Sequence, residues 1–144
     1  MRVLLMVLAL VWGMLAAVSG EEDGTVVVNV SDIKEVKGRL VVSFFDSEKE
    51  FMKLPVKQVA IPVTKTGAET VRCEGVPAGV YGLTVHQDFD GDNKIEKNAL
   101  GIPTEPFGFG NNAMGRMGPP SFQQASITVK AGGELDTAVK LVGE

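Results

Sequence analysis

The chain of 144 residues has one cysteine, one histidine, one tryptophan and one tyrosine. Each shortage removes a class of chemistry. With Cys73 alone, no disulfide can form within the chain, so the fold must be stable without covalent staples. With His86 alone, there is no histidine pair for a zinc site, and a Cys73 nucleophile would have only His86 as its partner. Cys73 lies in "TVRCEGV", in phase with Val71, and is expected to be a small buried apolar residue. No Ser/His/Asp order and no phosphate-binding glycine loop is found. Basic residues are also few, 14 against 18 acidic ones, which argues against a nucleic-acid partner.

The one long hydrophobic run is at the start, "MRVLLMVLALVWGMLAAVSG". A single positive charge, an apolar stretch and then small residues make the three-part pattern of a secretory signal peptide. The run from Val3 to Val18 is shorter than the roughly 18–20 residues of a membrane span. Cleavage is expected after Ser19 or Gly20; an uncleaved anchor is the alternative. No cysteine lies near that point to carry a lipid. Processing would remove the only tryptophan, Trp12, and leave 13 basic residues against 18 acidic ones, a net charge of −5. Residues 21–144 then form one domain, long enough for a real core, periplasmic or secreted and without a stable membrane span.

That domain reads as short strands. β-branched runs and period-two alternation predict strands over 25–30, 39–45, 56–63, 69–76, 79–87, 124–130 and 134–142. Tyr81, Leu83 and Val85 share one face and are expected in the core with Ile127 and Val129; His86 falls on the opposite face, as a surface or hydrogen-bonded residue or a ligand. "AGG" at 131–133 is a hairpin signal. The one helical hint is "SEKEFMKLP", where Ser47 and Glu50 have capping-box spacing and Pro55 stops the turn. About seven strands with frequent turns predict an all-β fold, a single antiparallel β-sandwich with one long ordered loop.

Two motifs fill residues 86–122. "DFDGDNKIE" sets Asp88, Asp90 and Asp92 at alternate positions, with Glu96 four residues on. Alternate carboxylates on a turn can converge on one hard cation, and Ca²⁺ takes several oxygens at about 2.3–2.6 Å. The EF-hand loop begins in this way, but here Asn93 replaces its glycine and Ala99 its final glutamate. A shorter Ca²⁺ loop of Asp88, Asp90, Asp92 and Glu96 is one reading; a solvated turn bonded to its own backbone is the other. "GIPTEPFGFGNNAMGRMGPPSF" exceeds the length at which structureless connections become uncommon. Its prolines and glycines predict an ordered loop. Phe107, Phe109, Asn111, Asn112 and Arg116 are candidates for a binding surface. The duller alternatives are a satellite core for the aromatics and a salt bridge from Arg116 to Glu105 or to an aspartate of the turn.

Residues 75–129 combine a "Gly-x-Tyr" strand, the Asp/Asn/Gly turn, "GIP-x-E", an aromatic-Gly-Phe, a paired Asn and a Pro–Phe step into another strand. This combination resembles the bacterial secreted family called domain of unknown function 2141. Gly110 departs from the pattern, where Ser is expected, and the turn holds more Asp than Asn. The resemblance implies an extracytoplasmic all-β domain and no particular reaction. "GVPAGVYGLTV" is also similar to prealbumin-like and carboxypeptidase-regulatory sandwiches, a likeness of fold alone. The residues therefore read as a non-catalytic binding or structural module for an unknown envelope or extracellular ligand. The alternatives are a hydrolase using Asp90, Asp92 or Glu96 and a purely structural envelope protein.

Overall fold

The structure, a computed structural model, describes residues 22–116 and 118–143. The N-terminal segment read as a signal peptide lies outside the described residues. Eight strands form two sheets: β1 (Gly24–Ile33), β2 (Arg39–Phe45), β3 (Lys57–Pro62), β4 (Gly67–Val76), β5 (Gly79–Asp88), β6 (Phe107–Phe109), β7 (Ser126–Val129) and β8 (Glu134–Lys140). One sheet has the order β4-β1-β8; the other runs β3-β2-β5-β6, with β7 also paired to β5. The all-β sandwich expected from the alternation is therefore present. Three features differ from the expectation. The hairpin expected at residues 131–133 does not form: β7 pairs with β5 in one sheet and β8 with β1 in the other, so the turn crosses between the sheets. β1 and β8 pair in parallel, Val26 beside Leu135 and Val30 beside Val139, in an otherwise antiparallel fold. The eighth strand is the three-residue β6, from within the long loop. No helix among the described residues is long and apolar enough to cross a membrane.

The core lies between the sheets. Val26, Val28 and Val30 of β1 meet Leu40, Val42 and Phe44 of β2 and Leu83 and Val85 of β5, all 0% exposed. Tyr81, Ile127, Val129 and Cys73 are buried with them. The Tyr81 ring packs edge-on against Phe44, and its hydroxyl donates to the Pro77 carbonyl at 2.7 Å, so the buried phenol is satisfied. Pro62 ends β3, an edge strand, where the missing N–H costs no ladder bond. The helical hint resolves into turns: Glu50 N–H donates to Ser47 Oγ at 3.2 Å, and Leu54 N–H to the Glu50 carbonyl at 3.0 Å, just ahead of Pro55.

β5 positions the site. It pairs with β2 along one edge, and its other edge is shared by β7 at Gly79–Gly82 and β6 at Thr84–His86. Its core face carries Tyr81, Leu83 and Val85. Its second face carries Gly82, Thr84, His86 and Asp88, and these too are buried. The segment after β5 folds back over that face. Phe51 and Phe122 stack edge-on above Gly82, where a Cβ would come within 2.9 Å of both rings.

Candidate acidic site

Asp88 ends β5 opposite Arg39, the first residue of β2. Its carboxylate is 0% exposed and accepts hydrogen bonds from Gly91 N–H at 3.0 Å and Asn93 N–H at 2.9 Å, while Arg39 Nε lies 3.4 Å away. The Arg39 guanidinium also donates to the Gly91 carbonyl and to Asn93 Oδ1. Asn93 takes a φ of +62°, which Asn tolerates better than most residues. Gly38 is required at the base of the turn: its φ is +63°, and a side chain there would run into the Asp88 carbonyl. Farther along, Asp92 N–H donates to Asp90 Oδ1 at 3.3 Å and Lys94 N–H to Asp92 Oδ1 at 2.9 Å. The turn thus uses its own carboxylates to fix its backbone.

Glu105 enters from the far side of the loop and is 3% exposed. One carboxylate oxygen accepts from Phe89 N–H at 2.6 Å and the other from Glu96 N–H at 3.2 Å, so it clasps both ends of the acidic turn. The alternative in which Glu105 pairs with Arg116 is corrected: Glu105 spends its oxygens on these two amides, and Arg116 is exposed. Asp88, Asp90, Asp92 and Glu105 each bring one oxygen within 4.8 Å of the others. Oxygens on opposite sides of one Ca²⁺ ion are up to about 5 Å apart, so this spread suits a single cation. The spacing of the turn predicts Glu96 in that fourth place. Its carboxyl instead shares hydrogen bonds with Asp92 and Asp90, and these with their negative charge push it up to about 7. Asp92 shifts the other way, held down first by the same bond to Glu96.

Burial raises Glu105, against the pull of its two amide donors. Burial also opposes the charge on Asp88, but the hydrogen bonds from Asn93 and Gly91, with Arg39, outweigh it and hold that carboxyl low. His86 is 1% exposed rather than on the surface, and neither ring nitrogen has a hydrogen-bond partner among the described residues. Burial lowers its affinity for a proton, opposed by the nearby Asp88 and Asp92 charges. Its imidazole lines a cavity of about 510 Å³ that also exposes Ser43, Gln58, Thr84, Asp92 and Lys94. Sequence alternation placed His86 off the main core but gave no sign of this second covering layer.

The five candidates of the long loop are mostly engaged within the protein. Phe109 is buried, and the rings of Phe107 and Phe109 pack edge-on. Asn111 donates to the carbonyls of Gln124 and Ser126 at 3.1 and 2.7 Å, and Asn112 Oδ1 accepts from Lys140 N–H at 2.8 Å. Both asparagines have positive φ, in a 3₁₀ turn after β6. Of the five, Arg116 is exposed and makes no side-chain hydrogen bond or ion pair among the described residues.

The sequence matches the model of a family described as "Uncharacterized protein conserved in bacteria (DUF2141)" over residues 28–137. No curated protein and no solved structure matches the chain. The family match begins in β1 and ends in β8, and so takes in both sheets, the acidic turn, Glu105 and the loop. The chain belongs to the DUF2141 family, domain of unknown function 2141.

Proposed function

We propose that the protein is an extracytoplasmic, non-catalytic binding module in which the acidic turn holds one Ca²⁺ ion. The observation that carries this reading is the mutual approach of the Asp88, Asp90, Asp92 and Glu105 oxygens. Glu96, beside Asp92 and Asp90, adds to the crowding of carboxyl groups there. Four acidic groups converge while, among the described residues, Arg39 is the one cation bonded to them, at Asp88. A dication would relieve that repulsion and fasten residues 89–105 across the second face of β5. The extracytoplasmic setting rests on the N-terminal charge, apolar run and small residues. A prealbumin-like or carboxypeptidase-regulatory-like role as a structural or binding module is consistent with the two-sheet architecture, by analogy of fold alone.

A glycosidase-type hydrolase is less well supported. Such enzymes hold two carboxyl groups about 5–9.5 Å apart across a substrate. The Asp88, Asp90, Asp92 and Glu105 oxygens instead lie within 4.8 Å of one another. Titration calorimetry tests the calcium reading. Millimolar Ca²⁺ should give saturable heat with a Kd of about 10⁻⁴–10⁻³ M, typical of extracellular modules. Asp90→Asn combined with Asp92→Asn should abolish it. Absence of heat in the wild-type protein, or equal heat in the double variant, contradicts the proposal.

A further inference from the structure

We propose that the acidic site has a second, nitrogen-bearing face, where His86, Asp88 and Glu105 bind a first-row transition dication such as Zn²⁺ or Co²⁺. One ring nitrogen of His86 and one oxygen from each of Asp88 and Glu105 lie within 4.8 Å of one another. All three side chains are nearly inaccessible, at 1%, 0% and 3% exposure. The inference stands on His86 and not on the calcium reading. A buried imidazole without a hydrogen-bond partner is costly, and a ring nitrogen within 4.8 Å of two carboxylate oxygens is placed for a metal between them.

The chemistry of the donors separates the two faces. Asp90 and Asp92 offer oxygen only, which suits hard cations. An imidazole nitrogen favours Zn²⁺, Co²⁺, Ni²⁺ and Cu²⁺ over Ca²⁺. One nitrogen and two carboxylates leave a coordination position free in a four-coordinate site. His86 also lines the cavity beside Thr84 and Asp92, so a ligand in that cavity would lie against the imidazole. Asp88 and Glu105 belong to both faces, which links occupancy of one to the other. Asp88 and Glu105 keep their backbone donors, Gly91, Asn93, Phe89 and Glu96, which hold the carboxylates in orientation as outer partners do in metal sites.

The test uses tag-free protein produced from the full chain, stripped of metal and titrated with Co²⁺. Because His86 is the only histidine, its ring protons are an unambiguous reporter. The expected result is saturable visible absorption from one Co²⁺, with the His86 ring signals shifted or broadened by the paramagnetic ion. His86→Gln should weaken Co²⁺ binding at least tenfold and change Ca²⁺ binding less than twofold. Ring signals untouched by Co²⁺ overturn the inference, and this measurement needs no variant to fold. Co²⁺ affinity in a folded His86→Gln within twofold of wild type overturns it equally. Co²⁺ binding through His86 without Ca²⁺ heat sustains this site and sinks the calcium reading; Ca²⁺ heat without a His86 response does the reverse.

Discussion

At the scale of single residues, several carboxylates are fixed by backbone amides rather than by paired cations. Glu69 is the simplest case, remote from the acidic turn. Its Oε1 accepts from Thr64 Oγ1 at 2.6 Å, Thr64 N–H at 2.9 Å and Lys65 N–H at 3.2 Å. The Thr64 hydroxyl, against the cost of burial and together with the two amides and the Lys65 charge, holds this carboxyl below its ordinary 4.5. A folded-state value below the unfolded one adds stability above the unfolded value, and that stability is lost as pH falls through the folded one. Glu69→Gln should therefore cost about 1.5–3 kcal/mol at pH 7, the worth of hydrogen bonds to a charged group. The gap between variant and wild type should shrink as pH drops below 4.5. Denaturant melts at pH 7 and pH 3 check this; a gap that widens in acid contradicts it.

At the scale of elements, β5 is covered on both faces, and neighbouring substitutions should report the two layers separately. Leu83→Ala opens a cavity between the sheets and should cost about 2–5 kcal/mol. Gly82→Ala pushes a methyl into the rings of Phe51 and Phe122 and should cost about 1–3 kcal/mol by overpacking. Equilibrium unfolding measures both, and a cost below about 0.5 kcal/mol at Leu83 would mean the strand phase is wrong. The core face was legible in the sequence because Tyr81, Leu83 and Val85 alternate with polar residues. The second face was not, because Thr84, His86 and Asp88 read as outward, and alternation within a strand carries no sign of a distant segment folding over it. β6 is three residues long, too short for a periodic signal. The parallel pairing of β1 with β8 joins residues more than a hundred positions apart. The alternating aspartates were visible as a candidate site. Glu105 was not, because it enters the site through the return path of the loop, not through the spacing of the turn.

At the scale of the whole molecule, the two-sheet sandwich carries its acidic turn over one sheet. Export has its own test. Protein recovered from the envelope should be lighter by about twenty residues and lack tryptophan emission, since Trp12 is the only tryptophan. Full-length mass in the membrane fraction contradicts cleavage. The central claim is that a cation in the turn fastens the loop to β5. The amides that donate to Asp88 and Glu105 are those of Phe89, Gly91, Asn93 and Glu96. Their hydrogen exchange reports local opening of this segment directly. In millimolar Ca²⁺ these four amides should exchange about tenfold more slowly than in Mg²⁺ of matched ionic strength, as occupancy at about ten times Kd predicts for an ion bound only to the closed form. Amides of β1 and β2 should respond less. Equal exchange at the four amides in the two salts would contradict the account.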